Sequence, residues 1–438
     1  MVSSERVSLG PGLFGRVFRS TALRVALLYG VAGVGFAGAN LLLARALSKA
    51  EFGLFSLVLA LLYLSVPLAT AGADGVINRQ PTAARAIQVW RVVLTGSLFG
   101  CAVTLAARAI YGIDPVMSVL LFTGIVLGAG NFLASAHFQS RQRFWPALTL
   151  AQGANFVLLA AAVLALAFGV RNSRVLFAAL VAWYAVACLV GWHRLFRGRA
   201  DPRVEQPALG AKAGTQYPWR ESLSYAGVTG GYLALVQMER LVTPKLLDFE
   251  ALATFAVLAA VAGSPFRILQ QGVGYTMLPR LRAAETEPMR KKILREELLV
   301  IGGVAVAAAI LIWFFAPIVV RLVAGAEYDL GAPLIFAALV SGFAKLGSTF
   351  MRSLVTALGD TRDLAILNGA GWVMVALGLA AATVGARFGL EGILYGVAVA
   401  WLGRGIVAAR LGLPRLARPA TSRSEPPVAA GASTGAPT

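Results

Sequence analysis

The chain has 438 residues, of which 58% are hydrophobic and only 13% charged. With a mean hydropathy of +0.74, it carries too much apolar side chain for an ordinary soluble protein, and the class that fits is a polytopic membrane protein. The net charge of +19 does not mark a nucleic-acid binder, because Lys and Arg lie between apolar segments rather than on one soluble face.

Residues 1–24 are basic and lack a small-residue cleavage site after the first apolar run, so they read as a cytoplasmic N-terminal segment and the run is kept as a span. Six apolar segments of spanning length follow, at about 25–44, 52–73, 89–107, 116–138, 145–168 and 175–192. They form a first lobe over 25–195. A linker at 196–220, rich in Arg, Pro, Gly and Ala, leads to a second lobe over 221–411. Its spans fall at about 223–241, 252–278, 298–320, 332–351, 364–384 and 390–409. The remainder, 412–438, is a Pro/Ala/Ser/Thr tail with too little apolar content to fold. The expected fold is therefore an all-α integral membrane protein of about 12 transmembrane helices in two six-helix lobes.

Alternate connections divide the 39 Lys and Arg into about 28 on the side of both termini, about 9 opposite and about 2 at depth, which predicts cytoplasmic termini and a multi-pass protein of the cytoplasmic membrane. Trp90, Trp145, Trp192 and Trp219 fall at helix ends on the same side, where an indole favours the headgroup layer. The segment Leu42 to Ala60 recurs weakly about 200 residues on, as Val242 to Ala260, pairing Arg45 with Lys245, Leu47 with Leu247 and Phe55 with Phe255. Repeats an even number of spans apart share orientation, so a pseudo-two-fold axis along the membrane normal is expected, with substrate between the halves.

Catalytic signatures are missing. Gly33, Gly35 and Gly38 spell a dinucleotide fingerprint inside a spanning helix, with no preceding strand to form the phosphate cradle. Gly124 with Gly128, Gly227 with Gly231 and Gly392 with Gly396 read as small faces for close helix packing. The chain has no Walker-type loop, and its two histidines, His137 and His193, lie near helix ends. Cys101 and Cys188 lie within apolar helices at no metal or redox spacing, so no disulfide framework, metal, cofactor or catalytic residue is expected.

The informative constellation is charge at depth. Arg267 lies about 10 residues, or ~15 Å, before its helix exit, near the middle of a ~30 Å hydrocarbon layer. Such a group by default faces a bundle interior or a wet cavity; the competing reading makes it an ion-pair partner of Glu239. Lys345 shares that depth, and Arg24, Arg45, Arg91, Arg240, Lys245 and Arg352 lie within or at the ends of helices, where ordinary interfacial anchoring also accounts for them. Nearby acids are few: Asp74 and Glu239, candidates for coupling or ion-pairing. A cavity with surplus positive charge suits a phosphate-bearing anion and suits a cationic drug badly.

ANLLLARALSKAEFGLFSLVLAL in the first hairpin, QMERLVTPKLL, YTMLPRL, RLVAGAEYDLGAPLIF and LVTALGDTRDLAILNGAGW resemble the polysaccharide flippases of the multidrug/oligosaccharidyl-lipid/polysaccharide (MOP) exporter superfamily. The resemblance implies a MATE/MOP-like V of two lobes that rocks between inward-open and outward-open forms. It also implies a polyprenyl-diphosphate-linked oligosaccharide as substrate, for O-antigen, capsule or exopolysaccharide, with membrane lipids, a glycan polymerase and glycosyltransferases as partners. In the related lipid II flippases, arginines of helices one and eight line the cavity; Arg24 and Arg267 occupy similar places and Arg45 is a looser match. That branch carries additional spans, and the cation-binding acids of drug antiporters are sparse here. The rival readings are a cation-coupled multidrug antiporter, a lipid II flippase, a membrane glycan polymerase or ligase, and a non-transporting scaffold. Every connection on the far side is too short to house a ligase's acid/base groups, so the chain is not expected to be an enzyme.

Overall fold

The computed structural model describes residues 21–79, 84–197, 217–284 and 286–417, leaving out the side chains of 21–29, 274–276, 278 and 279. The expectations for residues 1–20, most of the 196–220 linker and most of the 412–438 tail lie outside the described residues. All regular structure among those described is helical: α1 (Thr21–Ala46), α2 (Lys49–Ala69), α3 (Ala73–Arg79), α4 (Ala86–Tyr111), α5 (Pro115–Ser140), α6 (Phe144–Phe168) and α7 (Ser173–Arg197), then α8 (Trp219–Leu246), α9 (Phe249–Leu258), α10 (Ser264–Ala283), α11 (Glu287–Val323), α12 (Ala332–Leu358), α13 (Thr361–Gly385) and α14 (Gly389–Gly412).

Nine described stretches are long and apolar enough to cross a membrane, and one of them, Thr361–Ala417, contains both α13 and α14. With α1 and α8 the crossing helices number twelve, α9 and α10 counting as one interrupted span. The chain is thus a multi-pass membrane protein. α8 falls short by hydropathy because it carries Gln237, Glu239, Arg240 and Lys245. A spanning helix tolerates such residues where they face protein or water rather than lipid.

Helix starts follow the sequence closely. Ser48 caps α2 by accepting from the Glu51 amide at 3.3 Å, and Asp248, 200 residues on, caps α9 by accepting from the Ala251 amide at 2.7 Å. Asp360 and Asp363 form a reciprocal capping box on α13, and Gly112 and Gly169 close α4 and α6 in the left-handed conformation, each supplying partners for otherwise unpaired helix-end groups. Packing repeats between the lobes as well. α1 packs on α6 as α8 packs on α13, α5 on α7 as α12 on α14, and α6 on α7 as α13 on α14. Two related six-helix lobes account for this pattern.

The structure departs from the sequence reading in five places. The predicted span 52–73 ends earlier: Ala71 (φ 50°) and Gly72 (φ 79°) turn the chain, and Asp74 starts the short helix α3. A side chain at Gly72 would put its Cβ 1.9 Å from the Ser222 carbonyl oxygen, so glycine is required both for the backbone conformation and for the close approach of α8. The predicted span 252–278 is broken by a π-helical turn at Ala259–Gly263; Pro265 has no N–H to give the preceding turn, and in an unbroken α-helix its ring would clash with the carbonyl four residues back, which a widened turn avoids. α8 runs to Leu246 rather than 241, and Trp192 is buried, its Nε1 donating to the Gly130 carbonyl at 3.0 Å, instead of sitting among headgroups. His137 is likewise buried, edge-on to Trp192.

Two of the three small faces are close approaches, whereas a Cβ at Gly227 would come no nearer than 3.8 Å to Asn368 and one at Gly231 no nearer than 3.4 Å to Trp372. A Cβ at Gly128 would lie 2.5 Å from a Val66 methyl, and one at Gly392 would lie 2.0 Å from the Gly385 carbonyl oxygen. Gly392→Val is expected to push α13 and α14 apart and destabilise the second lobe by roughly 1–3 kcal/mol; thermal melting of the detergent-purified protein measures it, and an unchanged melting temperature would refute the close-packing role.

Candidate functional site

The cavity opens beside the deformed α9–α10 span. Its lining comes from α8 (Val236, Glu239, Arg240), α9 and α10 (including Phe255, Arg267 and Gln270), α12 (Ser341, Lys345) and α14 (Leu394, Trp401), and its volume is about 80 Å³. Every lining residue belongs to the second lobe. The first lobe contributes Phe36 of α1, whose ring has the Arg240 guanidinium 5.9 Å from its centroid and the Arg267 guanidinium 5.6 Å from it. Phe36 also tilts against Tyr63 of α2, and the Tyr63 hydroxyl donates at 3.4 Å to Asn155 of α6. Two cations thus approach one aromatic ring of the first lobe.

The charges divide into two kinds. Glu239, 1% exposed, takes a short ion pair from the Lys345 ammonium and a 3.4 Å hydrogen bond from the Ser341 hydroxyl. A buried carboxylate is tolerated only when paired and hydrogen-bonded in this way. Arg240 and Arg267 are different: among the described residues no carboxylate pairs with either. Arg240 is 4% exposed, whereas Arg267 is exposed to solvent while lining the cavity. The aromatic face offsets part of the cost of holding these charges, and their fork of N–H groups is free for a planar or tetrahedral oxyanion.

Of the residues singled out by sequence, the fold brings together Arg267, Lys345 and Glu239. It does not bring Arg45 to them: that guanidinium donates at 3.2 Å to the Leu322 carbonyl at the end of α11. Asp74 lies at the opposite end of α2, where it accepts from the Thr70 hydroxyl at 2.7 Å. Arg24 is on α1, but its side chain lies outside the described residues. Glu239 pairs with Lys345, not with Arg267. Sequence reasoning set Arg240 aside as an interfacial anchor because it ended the helix at 241; with α8 extending to Leu246, Arg240 sits more than a turn inside it. Lys245 takes the end position, 3.4 Å from the Ile110 carbonyl.

Contacts between lobes close the face away from the chain ends. Gly53 of α2 meets the Phe249 backbone so closely that a Cβ would lie 2.0 Å from its oxygen. Nearby, Tyr111 donates to the Leu241 carbonyl at 2.8 Å and Tyr328 to the Ala44 carbonyl at 3.4 Å. At the face of the chain ends, Arg79 of α3 bridges to Glu221 at 3.1 Å and to the Tyr225 hydroxyl at 3.3 Å, and Ser222 donates to the Ala71 carbonyl at 2.7 Å.

No protein-family profile and no curated protein sequence matches the chain. Solved structures do. An inward-facing multidrug resistance MATE family transporter of the MOP superfamily aligns with a TM-score of 0.58 at 13% identity, over 89% of this chain and 94% of that one. The lipid II flippase MurJ, in an inward closed conformation, aligns at 0.60 and 12% identity over 88% and 86%. The outward-facing MATE family transporter aligns at 0.53 and 13% over 92% and 97%. The likeness spans nearly the whole of each partner and is one of fold: the chain has the two-lobed fold of the MOP superfamily.

Proposed function

We propose that the protein is a flippase that moves a polyprenyl-diphosphate-linked oligosaccharide, an O-antigen, capsule or exopolysaccharide repeat unit, across the cytoplasmic membrane by alternating access. The observation that carries this reading is the pair of guanidiniums, Arg240 and Arg267, flanking Phe36 at the junction of the lobes with no carboxylate opposite them. A cationic drug would be repelled there, and the one acid in the cavity is already held by Lys345. Arg267 holds the diphosphate, Arg240 adds to the field from behind Phe36, and Lys345 keeps Glu239 from competing for Arg267. Arg24, on the same helix as Phe36, is a further ligand in this scheme. The sugars occupy the hydrated cavity while the lipid tail stays in the bilayer. The chain ends lie in the cytoplasm, and export requires the contacts of Gly53, Tyr111 and Tyr328 on the far face to part. The lipid-linked substrate named for MurJ supports this class of cargo, and a glycan polymerase with glycosyltransferases would act before and after it.

Reconstitution tests the proposal. Proteoliposomes loaded with a fluorescent polyprenyl-diphosphate oligosaccharide should expose label to an external quencher or glycosidase faster than protein-free vesicles do. Equal rates would overturn transport and leave a scaffold.

A further inference from the structure

We infer that the second lobe contains a separate binding site for a phosphate-type oxyanion, between α8, α12 and α14, centred on Arg404 and Arg352 rather than on Arg267. Both guanidiniums converge on one ring: Arg352 lies 4.6 Å and Arg404 5.3 Å from the Tyr232 centroid. Sharing a ring keeps them within about 10 Å of each other, a distance at which like charges inside a protein repel appreciably. Trp401 stands edge-on to Tyr232 at 6.0 Å, with Arg404 5.7 Å from its ring.

The site is rich in donors, and among the described residues no carboxylate pairs with either guanidinium. Arg404 is 4% exposed, and its buried Nε has no hydrogen-bond partner among the described residues; the same holds for the indole Nε1 of Trp401 and the hydroxyl of Ser348. Carboxylates that could answer these groups are engaged elsewhere, Glu239 with Lys345 and both Asp360 and Asp363 with Arg415. Burying an arginine against aromatic faces alone leaves its N–H groups without the acceptors they had in water, which is costly. One oxyanion accepting from Arg404 and Arg352 would satisfy the buried guanidinium and neutralise the paired charges together. Forked guanidiniums joined by neutral N–H and O–H donors suit tetrahedral phosphate oxygens.

This site is not the cavity of Arg267. Arg352 follows Lys345 by seven residues on α12, about 10 Å along the helix towards the face of the chain ends, and neither Arg352 nor Arg404 lines that cavity, Trp401 being the residue that borders both. A free phosphate ion and the phosphate of an anionic lipid headgroup offer the same chemistry.

Equilibrium dialysis of radiolabelled inorganic phosphate against the purified full-length protein reads the site directly. Nanodiscs containing phosphatidic acid, compared with phosphatidylcholine alone, read the lipid source. Saturable binding of either is expected, weakened at least tenfold by Arg404→Gln and by Arg352→Gln. Should Arg404→Gln fail to fold, the half-buried Arg352 carries the test, with Arg352→Lys restoring part of the binding. Binding of phosphatidic acid but not of phosphate would support the site and assign it to a headgroup. Absence of saturable binding to both, or full binding in Arg352→Gln, would overturn it. Loss in Arg267→Gln alone would place the anion in the cavity, defeating this inference while leaving the flippase reading intact.

Discussion

Arg267→Glu is expected to abolish transport of the lipid-linked glycan while leaving the protein folded and in the membrane. The folding half of the expectation follows from its surroundings: the side chain is exposed and lines the cavity and its described partner is the Phe36 ring, so its loss empties no packed space and forgoes roughly 1 kcal/mol of cation–π attraction. The transport half follows from chemistry. Hydrogen bonds to a charged group contribute about 1.5–3 kcal/mol, so Arg267→Ala should weaken capture of the diphosphate roughly 10- to 100-fold. Reversal replaces that attraction with repulsion in a partly dehydrated cleft. Arg267→Lys should fall between, because a point charge cannot reproduce the two-pronged geometry. Initial flipping rates in proteoliposomes, with size-exclusion profiles as the folding control, measure the series. Wild-type rates from Arg267→Glu would remove Arg267 from the mechanism.

Glu239→Gln should give the largest loss of stability. Glu239 is almost wholly enclosed while Lys345 keeps 22% of its side chain accessible, so neutralising the acid leaves an ammonium only partly able to turn to water. Breaking a buried pair from one side costs about 3–5 kcal/mol, and the partial accessibility of Lys345 puts the expected value at the lower end of that range. The double variant Glu239→Gln with Lys345→Met should recover most of the loss, since removing both charges removes the uncompensated one. Thermal melts of the four proteins close the cycle. A Glu239→Gln protein that melts with the wild type would show that the pair does not hold α8 against α12.

The membrane class, the twelve spans and the two-lobe repeat were legible in the chain, because a spanning helix must satisfy its backbone internally and be apolar for about 20 residues. Capping residues were equally local: Ser48, Asp248 and Asp360 occupy helix starts because their side chains reach amides three residues on. The depth of Arg267 came from counting residues along one helix. Its neighbours could not. The sequence placed Arg45 and Asp74 beside it as candidates, but hydropathy has no term for direction around or between helices, and the fold sends Arg45 to the α11 end and Asp74 to the α2–α3 turn. Arg240 was missed because a charge close to a helix end looks like an anchor until the end is located. The Gly-Ser-Pro run at 263–265 was a visible signal for the interrupted span.

Composition and periodicity therefore determined how many apolar spans this protein has, that they are long enough to cross a membrane, and that cations lie among them. Only the tertiary structure decided which cations remain unpaired. Pairing depends on the 102-residue separation of Glu239 from Ser341 and the 106-residue separation from Lys345, spans over which the sequence carries no distance. The fold spends the buried acid of α8 on Lys345 of α12 and leaves Arg240 and Arg267 beside the Phe36 ring without a carboxylate.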